Sequence, residues 1–126
     1  MHGGELVKLI DEVAAHAAAR HAGNVCVTAS FDNMVFKNPI ALNETVMIFA
    51  AVNRAWTTSL EVGAKAFVEK QDGMCHVASA YLTFVALDSN MNKTTVPLLV
   101  PESLKEKRRY REANKRRKMR LKQRKP

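Results

Sequence analysis

The period of the apolar residues changes once along this chain, and that change limits the folds open to it. From Gly4 to about His21 the spacing is helical: Leu6, Ile10, Val13, Ala14 and Ala17 share one face, and Glu5, Lys8 and Glu12 the opposite one. After Val13 the apolar face is mostly alanine, and small side chains let a helix lie close against a sheet. Gly23-Asn24 follows, a pair suited to the left-handed residue that ends many helices. From Val25 onward the period is two. Val25, Val27, Ala29 and Phe31 alternate with Cys26, Thr28 and Ser30, and similar runs cover residues 46–52, 59–68 and 77–86. The second run, with Met47, Phe49 and Ala51 between its other apolar residues, reads as a strand buried on both sides. The third, with Glu61 and Lys65, has one wetter face. Lys37-Asn38-Pro39, Gln71-Asp72-Gly73 and Asp88-Ser89-Asn90 supply the turns. One long helix followed by long, closely connected strands predicts an antiparallel sheet wrapped around that helix.

A chain of 126 residues supports one such domain and no second. Hydrophobic residues make up 47% of it, so the body is expected to be ordered. No apolar run approaches the roughly 18–20 residues of a membrane span. Met1-His2-Gly3-Gly4 lacks the basic and apolar regions of a secretory signal, which points to the cytoplasm. Cys26 and Cys75 stand alone and read as reduced, buried thiols. The four histidines show no metal-ligand spacing, so no metal is expected.

Charge is unevenly divided. Residues 102–126 hold thirteen Lys or Arg against three acids, whereas residues 1–101 hold seven against nine. A nearly neutral body, 1–101, therefore carries a basic C-terminal segment, 102–126. Ser103-Leu104-Lys105-Glu106 after Pro101 fits a capping box and predicts a helix start. So polar a helix is expected either to be solvent-exposed or to fray into a tail.

Two features suggest chemistry. Asp11 lies at the edge of the apolar helix face, beside Val7, Ala14 and Ala18, where partial desolvation favours a carboxylate as a base. His2-Gly3-Gly4 stands directly before the helix, where glycines admit a ligand to the backbone and first-turn N–H groups can hold a developing oxyanion. Each has an ordinary structural alternative, a helix-flank aspartate and a plain helix start.

The run from His2 to Ala14, followed by Ala19-Arg20-His21, resembles the helix motif of cytoplasmic acyl-CoA thioesterases of the hot-dog superfamily. The likeness continues through Val27-Thr28-Ala29-Ser30-Phe31-Asp32, Phe36-x-x-Pro39-Ile40 and Thr58-Ser59-Leu60-Glu61-Val62. It resumes at Ala80 to Asp88, at Val96-Pro97 and at Leu99-Val100-Pro101-Glu102. It implies an α+β hot-dog fold, a long central helix wrapped by an antiparallel sheet, with two copies pairing side by side to form the active sites at their seam. A trimer of such dimers is a further implication. Asp11 would be the catalytic carboxylate, as general base or as nucleophile, and backbone N–H groups at Gly4 and Glu5 would hold the carbonyl oxygen. His2, Gly3 and the segment Thr57-Thr58-Ser59 would line the acyl-CoA, with Arg54 on its phosphates. Coenzyme A is then part of substrate and product, and no separate cofactor is implied. Members of the family carry a first strand and a polar segment ahead of the His-Gly-Gly. In this sequence that element is missing, together with any second catalytic group it would bring.

The expected reaction is hydrolysis of fatty acyl-CoA to free acid and CoA. Two other classes remain open at this level: a nucleic-acid-binding protein working through the basic segment, and a non-catalytic CoA-binding protein. Nucleic acid is the weaker partner, because that segment holds one aromatic, Tyr110, and no reading motif. In the enzyme reading, a cationic segment near the cleft mouth would attract the phosphates of CoA.

Overall fold

The computed structural model describes residues 2–124. Its elements run α1 (Gly3–Ala22), β1 (Val25–Phe36), β2 (Val46–Ala55), β3 (Ser59–Lys70), β4 (Gly73–Leu87) and α2 (Leu104–Arg124). α1 ends where glycine permits it: Gly23 takes φ 73° and its N–H donates to the Ala19 carbonyl at 2.8 Å. The four strands form one antiparallel sheet in the order β1-β4-β3-β2. Leu6, Ile10, Ala14, Ala18 and Ala22 press on the face formed by Leu60, Val62, Ala64, Ala66 and Val68 with Ala78, Ala80, Leu82 and Phe84. The alanines of α1 matter here. They bring the helix axis close to a sheet whose own inward residues are largely alanine and valine.

The strands outrun their periodic signal in places, for a physical reason. β1 is interrupted by irregularities between Thr28 and Ser30 and between Asp32 and Val35, with Asn33 at φ 50°. Each bulge shifts the side-chain phase, so alternation stops being readable after Phe31 although pairing continues to Phe36. The tight turn into β4 rests on Gly73 at φ 126°, and after β4 the Asp88 Oδ1 accepts from the N–H groups of Asn90 and Asn92 at 2.9 and 3.0 Å.

Two expectations are corrected. β2 is not buried on both sides: it is an edge strand, and Phe49 on its outer face is 56% exposed. An apolar run alone does not distinguish a central strand from an edge strand. The basic C-terminal segment is neither exposed all round nor a frayed tail. α2 is capped by reciprocal bonds between Ser103 and Glu106, the Glu106 N–H donating to Ser103 Oγ at 3.0 Å and the Ser103 N–H to Glu106 Oε1 at 2.9 Å. The Ser103 N–H, and with it that of Glu102, holds the Glu106 carboxyl below the usual carboxylate range. The helix then crosses the sheet on the face opposite α1, with Ala113 fully buried.

What holds it there is charge. Glu61 on β3 is fully buried and accepts from Arg116 through both oxygens, at 2.6 and 2.9 Å, while the Asn53 amide donates to it at 3.0 Å. Arg120 bonds Asp32 at 3.1 Å, and the Arg116, Arg117 and Arg54 guanidinium groups lie over the rings of Tyr81, Trp56 and Tyr110. At Glu61 the wetter face expected for β3 is thus covered by arginines from α2, while Lys65 on the same face stays exposed.

Candidate active site

Asp11 sits on α1, half-buried, where the helix passes over β1. Its Oδ1 accepts a hydrogen bond from the Thr28 hydroxyl at 2.6 Å. A short bond of this kind orients one carboxylate oxygen and leaves the other to act. Thr28 is exposed, because β1 is an edge of the sheet: on one side it pairs with β4, and on the other no strand among the described residues pairs with it. Sequence reasoning gave Thr28 no role, since it stood as one polar member of an alternating strand. Its partner lies seventeen residues away on another element, and only the packing of α1 on β1 joins them.

The start of α1 supplies the second group of candidates. His2 is the N-cap in an extended conformation with no side-chain cap bond, so the first turn is open at its end. The Glu5 N–H is already committed to the His2 carbonyl at 3.1 Å, as is that of Leu6 at 3.3 Å. Of the two N–H groups expected to hold an oxyanion, that of Gly4 precedes this bonded turn and that of Glu5 does not. A cavity of about 310 Å³ opens here, bounded by His2 at the cap, Gly3 and Leu6 on α1, Phe36 at the end of β1, and Asn38 and Ile40 beyond it. Gly3 is packed near the Phe36 ring, 3.5 Å from where a Cβ would stand, whereas a Cβ at Gly4 would meet nothing within 4 Å.

Gly4 and Asp11 are seven positions apart, about 10 Å along the helix axis at 1.5 Å per residue. One carbonyl cannot touch both, since an attacking group and an oxyanion donor must each lie about 3 Å from it. Within a single copy these two candidate groups do not meet at one carbonyl.

The other expected residues lie apart. The carbonyls of Thr57, Thr58 and Ser59 accept from Val96, Ala86 and Trp56 at 2.9, 3.0 and 2.8 Å, which pins this segment at the end of the sheet. Arg54 projects to the α2 face, where its Nη1 donates to the Tyr110 carbonyl at 3.2 Å and its guanidinium lies 3.9 Å from the Tyr110 ring centre. It is therefore on the opposite side of the sheet from α1 in its own chain. A further hollow of about 270 Å³ lies on that far face, between α2 and β2–β4, and does not include Asp11. Cys26 and Cys75 are free and only half-buried, and burial pushes the Cys26 thiol up. Among the described residues no three His, Cys, Asp or Glu side chains converge as metal ligands.

The sequence profile of the family described as "Thioesterase superfamily" matches residues 1–75. The uncharacterised acyl-CoA thioester hydrolase YkhA of Bacillus subtilis is 40% identical over 108 residues, covering 84% of this chain and 63% of that protein. Among solved structures, an acyl-CoA hydrolase from Staphylococcus aureus in complex with butyryl coenzyme A, coenzyme A and coenzyme A disulfide is 38% identical with a TM-score of 0.91. That match covers 98% of this chain and 77% of that one. A hexameric acyl-CoA thioesterase, solved in its apo form, is 31% identical with a TM-score of 0.92, over 98% of this chain and 80% of that one. Structures of the Staphylococcus aureus hydrolase include alanine mutants of an aspartate, of a threonine seventeen residues after it, and of an asparagine fifteen residues before it.

Proposed function

Because this chain belongs to the thioesterase superfamily and has its hot-dog fold, we propose that it hydrolyses acyl-CoA at sites shared between two copies, with Asp11 as the catalytic carboxylate. The observation that carries this reading is the Thr28–Asp11 bond at an open sheet edge. The same types of residue at the same spacing were replaced in the Staphylococcus aureus hydrolase, which supports the roles of both. The asparagine of that enzyme falls at a position ahead of Met1 in this numbering.

The chemistry follows from the groups at hand. Asp11 takes a proton from a water molecule as its oxygen adds to the thioester carbonyl, or its own oxygen adds to give an anhydride that water then opens. Thr28 holds the carboxylate in place through its hydroxyl. The negative charge that develops on the carbonyl oxygen is met by N–H groups at the start of an α1 helix, Gly4 foremost. In the first route collapse of the tetrahedral adduct expels the CoA thiolate, which takes up the proton from Asp11, and leaves the free acid. In the second, collapse expels the thiolate and leaves the anhydride, which water opens to the free acid and the Asp11 carboxylate, its proton going to the thiolate.

The ~10 Å between Gly4 and Asp11 is what favours a shared site. A second copy paired edge to edge at β1, related by a two-fold axis perpendicular to the sheet, presents its α1 end for end, so a partner's helix start can face Asp11. The exposed apolar side chains of that edge, Val25, Val27, Val35 and Phe36, fit a covered surface better than a wet one. A trimer of such dimers would match the hexameric relative. The test is thiol release by the purified protein over a panel of acyl-CoA chain lengths. Turnover of at least one length is expected, and tight CoA binding with no turnover at any length would leave the non-catalytic reading.

A further inference from the structure

We propose that the outward face of α2 is a docking surface for anionic lipid membranes. The rotation of α2 about its own axis is fixed from beneath, by Arg116 on the buried Glu61, Arg120 on Asp32 and the buried Ala113. With those positions turned inward, Arg108, Arg111, Lys115, Lys118 and Lys122 follow one another at spacings of three and four residues on the outer side. All five are exposed, Arg108 also reaching the mouth of the hollow between α2 and β2–β4. At 1.5 Å per residue the stripe is about 21 Å long.

No described acid pairs with it. Among the described residues none of the five forms an ion pair, while Arg116 and Arg120 on the inner side do. The helix has only two acids. Glu106 is tied into the cap, and Glu112 is half-buried at the flank. The arginines that stabilise the fold are thus distinct from the cations left over, and the surplus lies on one line.

Such a line suits a flat anionic surface. Leu104 and Met119, 86% and 58% exposed, lie along the same side, where an apolar chain gains by entering the boundary between headgroups and acyl chains. A phosphodiester backbone offers them nothing comparable, and the stripe carries no aromatic side chain on which a base could stack. Contact would be peripheral, since no described helix is long and apolar enough to cross a membrane. α2 also lies on the far side of the sheet from α1, so a docked surface leaves Asp11 uncovered in that chain. The inference is independent of the proposed reaction.

The test is co-sedimentation of the full chain with phosphatidylcholine vesicles, with and without phosphatidylglycerol. Binding is expected only to the anionic vesicles at low salt, and release is expected near 1 M salt, where the Debye length falls to about 3 Å. A triple variant, Arg111→Gln, Lys115→Gln and Lys118→Gln, should bind about a hundredfold more weakly, at roughly fivefold per cation removed. Its circular dichroism and thermal unfolding should match the parent, because these side chains anchor nothing. Leu104→Ser with Met119→Ser should weaken binding while leaving its salt dependence intact. Equal binding to neutral vesicles, no binding to either kind, or an unweakened triple variant would each overturn the proposal. Tighter retention on duplex DNA than on anionic vesicles would also overturn it and assign the stripe to nucleic acid.

Discussion

In the proposed site two hydrogen-bonded side chains, Asp11 and Thr28, are assigned most of the functional weight, and they differ in what their replacement should do. Asp11→Asn preserves size and polarity but removes the base, so turnover should fall by ~10²–10⁴-fold. Thr28→Val preserves shape and removes only the donor to Asp11 Oδ1, so the carboxylate stays but is less well held. We expect a smaller loss, about tenfold, appearing in kcat more than in KM. Steady-state rates of the two folded variants on one acyl-CoA check both. Equal losses would mean that Thr28 takes part in the chemistry itself, and near-parental turnover by Asp11→Asn would remove Asp11 from the reaction.

At the scale of elements, the contact between β3 and α2 is the least expected feature. Glu61 is fully buried, and Arg116 supplies its bidentate partner, with Asn53 close by and Arg120 3.9 Å away. Arg116→Met leaves a buried carboxylate short of its main donor, a change that typically costs about 3–5 kcal/mol. The lower end applies here because Asn53 and Arg120 remain. Replacing both partners, with Glu61→Leu and Arg116→Met, removes the unpaired charge and should recover most of the loss. Chemical denaturation of the two variants measures this directly. A double variant no more stable than the single would show that packing by the guanidinium on Tyr81, 3.6 Å from the ring centre, matters more than its charge.

At the scale of the whole molecule, the proposed site belongs to a pair of chains. This is open to a mixing experiment with two inactive variants, Asp11→Asn and Gly4→Pro, the second removing the N–H placed opposite the carbonyl oxygen. Proline is tolerated in the first turn of a helix, and a Cβ at Gly4 has open space, so the fold should survive. In a mixed dimer both lesions fall in one site and the other site is intact. Co-expressed in equal amounts, the two variants should therefore recover about a quarter of parental activity through their mixed dimers. A site complete within one chain would recover none.

Much of this was legible before any coordinates. The change of period from 3.6 to two separates α1 from the strands, Gly23 and the Ser103–Glu106 box mark helix ends, and Asp11 stands out as a carboxylate at the edge of an apolar face. These are local signals, each carried by residues within a few positions of one another. Thr28, Glu61 and Arg116 carried no comparable signal. Thr28 becomes significant only because α1 lies over β1, and Glu61 because α2, fifty-five residues later in the case of Arg116, turns its arginines onto β3. The same holds for charge. The sequence determined that residues 102–126 are strongly basic, but which cations are spent inside the fold and which face outward was decided by the packing of α2 on the sheet. Hydrophobic period specifies which face of an element is buried. It does not specify what is buried against it, because that depends on contacts between residues far apart in the chain.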